Sequence, residues 1–149
     1  MIALDTDVLV IYHFFQNDPR YNETRLLLEK MTNEPKGVTI FNLLELSGII
    51  ASANNPDFSG DLFERYNESE DILILSPRMN ADVANEDVFW RSVVSGCFTY
   101  IQKGMRLGDA VILWTVETNQ EIDTLVTWNP KHFIDKTPIK VLTPLEFLT

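Results

Sequence analysis

Residues 1–10, MIALDTDVLV, run from an apolar start through two aspartates, Asp5 and Asp7, and on into further apolar residues. Aspartate is a poor strand former, so the pair marks the end of a short buried strand over Ile2–Leu4. The carboxyl end of a strand is where open α/β sheets bind ligands. Asp7 is also well placed to cap a helix through residues 8–15, VLVIYHFF. Whether the pair does chemistry depends on which other acids the chain folds beside it.

Moving outward, NDPR at 17–20 is a turn, because Asn, Asp and Pro all favour turns. A helix is expected over Tyr21–Met31, then the turn TNEPKG and a second short strand, GVTI (37–40). A helix through FNLLELSGIIASA (41–53) ends at NNPD, and another near FSGDLFERYN (58–67) precedes a third strand, DILILS (71–76). A long helical region is expected from Asn80 to Lys103 and a helix opening at Asp109 through AVILWTVET. DTLVT (123–127) reads as a fourth strand, WNPKHF as a loop and IKVLT (139–143) as a fifth strand before a last helical turn. Short apolar strands alternating with helices point to βαβ units and a mostly parallel sheet covered on both faces.

At 149 residues, 45% hydrophobic and 23% charged, the chain fits one globular domain over 1–149 with a proper core. No repeat or linker suggests a boundary. The sole cysteine, Cys97, excludes an internal disulfide and reads as a small core residue in a reducing compartment. With no basic amino-terminal segment and no apolar run approaching about 18 residues, the expectation is a cytoplasmic protein with no membrane partner. The formal charge of −10 is a poor footprint for binding long duplex nucleic acid by counterion release. It leaves a nuclease open, since carboxylates around a divalent cation attract phosphate locally. It also suits a basic protein partner.

Four polar positions fall where such a fold could gather them: Asp5 after the first strand, Glu45 within a helix, Asp109 just after Gly108, and Asn129 just past Thr127. On a helical period of about 100° per residue, Phe41, Gly48, Ile49 and Ser52 share the face of Glu45. Leucines and isoleucines occupy the rest, so the helix reads as largely buried, and a buried carboxylate needs a partner or a metal. Taken singly, each position has a plainer reading. Glu45 could be exposed or salt-bridged, Asp109 and Asp7 could be helix caps, and Thr127 and Asn129 could be ordinary loop residues.

Taken in order, the segments LDTDVLV, NLLELSGII, GMRLGDAVILWTVE, TLVTWNPKHF and VLTPLEF resemble the PIN domain, in particular the toxin ribonucleases of VapC type. The resemblance spans essentially the whole chain. It implies a three-layer α/β/α domain with a mostly parallel sheet of four to five strands and a metal-dependent endoribonuclease activity. It further implies that Asp5, Glu45 and Asp109 line a pocket for Mg²⁺ or Mn²⁺, with Thr127 and Asn129 on its rim. One position departs from the family pattern: the fourth acid is often Asp, and here it is Asn129. That removes one negative charge and weakens any second metal, with Asp7, two residues after Asp5, expected to compensate in part.

Hard divalent cations prefer oxygen ligands, make bound water easier to deprotonate and offset charge on phosphate oxygens. On this expectation Asp5 and Asp109 are the principal ligands, Glu45 acts through water or positions the nucleophile, and Asn129 orients a water or the phosphate. Arg106, Lys103 and Lys131 are candidates to hold the RNA backbone. The resemblance also implies a homodimer and a small basic antitoxin that silences the site.

Two other readings compete. ALDTDVLV fits the first motif of haloacid-dehalogenase-type phosphatases, but no acid follows Asp109 before Glu117 and the segment before Gly108 is polar. A PIN-like domain that has lost catalysis and only binds is the other. The aromatics Tyr12, Phe14 and Phe15 read as helix packing, His13 and His132 as surface or hydrogen-bonded histidines, and Trp128 as a residue that could stack on a base.

Overall fold

The computed structural model describes residues 1–32, 34–53, 56–78 and 85–149. Five strands, β1 (Ile2–Leu4), β2 (Lys36–Thr39), β3 (Ile72–Leu75), β4 (Thr124–Val126) and β5 (Lys140–Leu142), form one sheet in the order β3-β2-β1-β4-β5. Every pairing between them is parallel. The connections run outward from β1 to β2 and β3 on one side, and to β4 and β5 on the other. The order therefore reverses between β1 and β4, and a crevice opens at the carboxyl ends of those two strands.

Among the described residues seven α-helices cover the sheet: α1 (Thr6–Phe14), α2 (Tyr21–Lys30), α3 (Ile40–Ser52), α4 (Pro56–Asn67), α5 (Glu86–Gln102), α6 (Leu107–Thr118) and α7 (Pro144–Leu148). Neighbouring strand residues point to opposite faces, and here helices pack against both faces of the central strands. Leu4, Val38 and Val126 pack with α1, α2, α3 and α4, while Ala3, Leu125 and Leu75 pack with α5 and α6. The result is the three-layer α/β/α arrangement expected of a PIN-like fold. The α5–α6 contact is tight at Gly96, where a Cβ would lie 1.8 Å from the Trp114 indole nitrogen.

Several expected helix starts shift for capping reasons. Thr39 and Asn42 form a reciprocal capping box, so α3 begins at Ile40. α4 begins at Pro56, whose missing N–H costs nothing in a first turn. α5 begins at Glu86 under the Asn85 cap, and the earlier part of the region expected to be helical, residues 80–84, lies outside the described residues. α6 begins at Leu107, so Asp109 is not a cap but sits within its first turn. Asp5, not Asp7, caps α1, its side chain accepting the Thr6 N–H at 2.8 Å.

No helix among the described residues is long and apolar enough to cross a membrane. Cys97 is a buried free thiol.

Candidate functional site

A cleft of about 560 Å³ opens at the β1/β4 reversal. Its lining includes Asp5, Asp7, Glu45, Asp109 and Asn129, drawn from the end of β1, from α1, α3 and α6, and from the loop after β4. Residues 104 positions apart at the extremes of the acidic set, Asp5 and Asp109, thus face one space.

Asp5 is the deepest of them, 7% exposed. Its Oδ1 accepts the Thr6 N–H, with the Asn42 amide at 3.4 Å, and its Oδ2 accepts the Thr127 hydroxyl at 2.7 Å. Burial first, then the neighbouring Asp7 carboxylate, push Asp5 up to about 7, against the pull of Thr127 and the Thr6 N–H. Glu45 adds a smaller push in the same direction. Asp7 is also raised by burial, and the Trp128 N–H, Thr127 and Asn129 hold it back. The Trp128 N–H reaches its two oxygens at 3.1 and 3.0 Å, and the Asn129 amide donates at 2.9 Å. Thr127 is fully buried beneath the cleft, tying the two aspartates to the end of β4.

Glu45 corrects an expectation. It is exposed, not buried. The buried face of α3 is Asn42, Leu43, Leu46 and Ile50, whereas Leu44 and Ile49 are exposed in spite of their character. Ile49 lines the cleft, so apolar residues that face the site were indistinguishable from core residues in the sequence. Glu45 Oε2 accepts the Thr6 hydroxyl at 2.5 Å, and that hydroxyl in turn accepts the Asn42 amide at 2.9 Å. A Cβ at Gly108 would lie 3.8 Å from Glu45 Oε1, which brings this carboxylate up to the first turn of α6.

Asp109 pairs with His132, Nδ1 to Oδ2 at 3.2 Å. His132, taken from the sequence as an unremarkable histidine, lines the cleft beside Arg106. Lys131 lines an adjoining recess that shares Arg106, Asp109 and His132 with the cleft. Lys103 stands elsewhere: its ammonium donates to the Lys136 carbonyl at 3.0 Å and lies over the Tyr100 ring. His13 is a hydrogen-bonded partner of Tyr66 at 2.8 Å, and burial lowers it to about 4. Trp128 turns inward, its indole N–H donating to Thr24.

No site role was read from the sequence for Thr6, Phe15, Asp18 or Arg20, which line the cleft, or for Asn42, buried behind Thr6. The spacing of Thr39 and Asn42 could have flagged the capping box, but not the reach of Asn42 to Thr6 across 36 residues. Nothing local signalled Phe15 or Arg20.

The chemistry of the donor set suits a hard divalent cation, since every acidic ligand candidate offers oxygen. Burial first, and the Asp7 charge second, raise Asp5 by more than the cleft's own donors lower it. Among the described residues no three His, Cys, Asp or Glu side chains form a ready cage.

No protein-family model matches the chain, and no curated protein matches it by sequence. Solved structures share its fold. One is VapBC2 from Rickettsia felis bound to a promoter DNA fragment, at 20% identity and TM-score 0.62, covering 96% of this chain and 98% of that one. Another is FitAcB from Neisseria gonorrhoeae, at 19% identity and TM-score 0.58, covering 97% and 99%. A toxin-antitoxin complex from Klebsiella pneumoniae matches at 18% identity and TM-score 0.60, covering 97% and 98%. The likeness runs end to end, and it is a likeness of fold.

Proposed function

We propose that the protein is a Mg²⁺- or Mn²⁺-dependent endoribonuclease acting as the toxin of a toxin-antitoxin pair in the cytoplasm. The observation that carries this reading is the meeting of Asp5, Glu45 and Asp109 in one cleft at the sheet's reversal point. The fold shared with a toxin-antitoxin complex supports the toxin role. The alternative phosphatase reading gains nothing from a cleft that adds Glu45 and Asp109 to the aspartate pair.

Asp5 and Asp109 would hold the ion, with Glu45 beside them. When bound, the ion supplies Lewis acidity toward the phosphate and a more acidic water. The chain's own residues do the rest. Thr127, Thr6 and Asn42 fix the Asp5 and Glu45 carboxylates by hydrogen bonds. Asn129 and the Trp128 N–H hold Asp7 as an acceptor, so its charge stays in place beside Asp5. Arg106, exposed at the start of α6, is free among the described residues to meet the RNA backbone, with Lys131 in the adjoining recess.

A small basic antitoxin complements the acidic cleft, and the net charge of −10 favours such a partner. A homodimer is supported by the outer face of α5, where Trp90, Val94 and Phe98 are each more than half exposed and recur every four residues. The same face carries Asp87 and Arg91, one charge of each sign, which suits a second copy better than a strongly basic partner.

The direct test incubates the purified protein with structured RNA and Mg²⁺ or Mn²⁺, beside Asp5→Asn. Loss of cleavage by about a hundredfold or more is expected, since even outer partners of metal ligands are worth 10–100-fold. Equal cleavage by both proteins removes the mechanism. A binding-only domain is the second reading, favoured by Asn129 standing where the family often has an acid; it predicts RNA binding with no cleavage by either protein.

A further inference from the structure

We infer that the α1 side of the cleft is a nucleotide subsite, in which Phe15 stacks an unpaired base and Arg20 holds the adjoining phosphate. The inference rests on the RNA reading above and assigns two residues of this chain to the base and the phosphate.

Phe15 immediately follows α1 and parts company with its neighbour. Phe14 turns into the core, edge-on to Phe58 with ring centroids 5.7 Å apart. Phe15 is 51% exposed and lines the cleft together with Val10, Ile11 and Ile49. This apolar wall stands in the same cleft as a polar acidic floor. A nucleobase has that dual character, with an apolar face to stack and a phosphate alongside. Stacking on an aromatic ring is also tolerant of base identity.

Arg20 supplies the second half. Its Nε and one Nη2 hydrogen donate to the two oxygens of Asp18 at 2.9 and 2.8 Å, and its guanidinium lies over the Trp128 ring, 5.8 Å from the centroid. Pairing on one edge and packing on one face lock the plane of the group. The Nη1 hydrogens and the remaining Nη2 hydrogen have no partner among the described residues. Arginine keeps five donors in a rigid fork, so the unused edge is a preformed phosphate grip. Asp18 offsets much of the net charge, and the contact therefore works by directed hydrogen bonds more than by long-range attraction.

One turn sets both groups. The Asp18 N–H donates to the Phe15 carbonyl at 2.9 Å, the Tyr21 N–H to the Asp18 carbonyl at 2.9 Å, and the Arg20 N–H to the Asp18 side chain at 2.9 Å. Phe15 and Arg20 are thus presented on a hydrogen-bonded frame. Arg20 lies on the Asp7 side, over the ring of Trp128, whose backbone N–H donates to Asp7. Arg106 and His132 lie on the Asp109 side. A strand gripped at both ends would pass over the acids between. Duplex RNA keeps its base faces stacked on one another and cannot offer one to Phe15.

The test measures binding by fluorescence anisotropy, in the Asp5→Asn background with Mg²⁺ present, using a labelled single-stranded oligoribonucleotide and its perfect duplex. The expected result is binding of the single strand at least about tenfold tighter than the duplex, a roughly tenfold loss in Phe15→Ala, and near-complete recovery in Phe15→Tyr. Arg20→Lys should lose about as much as Arg20→Ala, because the fork and not the charge makes the contact. Phe15 is half exposed, so its variants should melt within about 2 °C of the parent. Equal affinity for both RNA forms, no single-strand binding, or an unchanged Phe15→Ala affinity overturns the subsite. A wall that instead takes a protein segment gives one of those same results. If Asp5→Asn cleaves as well as the wild type, the nuclease mechanism fails, and the same anisotropy series with EDTA in place of Mg²⁺ still decides the subsite.

Discussion

Thr127, the residue after β4, donates its hydroxyl to Oδ2 of Asp5, the residue after β1, at 2.7 Å. The bond crosses the point where the strand order reverses, and it is fully buried on the threonine side. It therefore fixes the floor of the cleft.

Thr127→Val keeps the shape and removes the donor. Leaving the buried Asp5 oxygen without that bond costs about 1–3 kcal/mol above neutral pH, where Asp5 is charged. Urea unfolding of the two proteins near pH 8 gives the difference directly. A difference below about 0.5 kcal/mol shows that the bond contributes little to holding Asp5.

Asp5 makes the metal-free protein less stable as pH rises. Folded, it holds its proton up to about 7, whereas the ordinary value is 3.8. Between these values the folded state binds more protons than the unfolded one, so stability is fully present below the lower value and is lost as pH rises through the upper. His13 works in the opposite sense, because burial lowers it to about 4 and its contribution is lost as pH falls below 6.5. Comparison with Asp5→Asn cancels the histidine. The variant should be the more stable protein near pH 8, on the order of a few kcal/mol, with the gap shrinking by more than half at pH 5 and closing near pH 4. A gap of constant size across that range contradicts the raised Asp5.

Divalent metal should narrow that gap. An ion that binds only the folded state adds about 2.7 kcal/mol at a hundredfold excess over its Kd. Thermal melting with millimolar Mn²⁺ should raise the wild-type midpoint by several degrees and leave Asp5→Asn and Asp109→Asn nearly unmoved. Absence of any shift in the wild type counts against a metal site.

Asn129 explains its own amide. Its side chain donates to Asp7 Oδ2 at 2.9 Å, a bond an aspartate could not make. Asn129→Asp replaces a donor with a second carboxylate beside Asp7, which should destabilise the metal-free protein by about 1–3 kcal/mol at neutral pH. Added Mn²⁺ should recover much of the loss and bind more tightly than in the wild type. Unaltered metal-free stability argues that the Asp7–Asn129 bond is dispensable.

The strand positions and the α/β class were readable in the sequence because they follow from local pattern: apolar runs of three to six residues, turn-forming clusters, and helical segments between them. The order Asp5, Glu45, Asp109, Asn129 was readable for the same reason, as each stands at or near an element boundary or within a recognisable helix. Glu45 was placed correctly on α3 but read as buried, and it is exposed. Periodicity separates one helix face from another, but it does not say whether an apolar face meets the core or the wall of a cleft.

The sequence by itself determined that this chain builds a parallel sheet with carboxylates near the ends of its strands, since backbone preference and hydrophobic period act over a few neighbouring residues. Only the tertiary structure decided which groups those carboxylates face. Thr127 under Asp5, Asn129 on Asp7 and His132 on Asp109 are all set by how the elements pack around the sheet. Those contacts form between side chains far apart in sequence, and their energies depend on distance and burial that exist only once the chain has closed on itself.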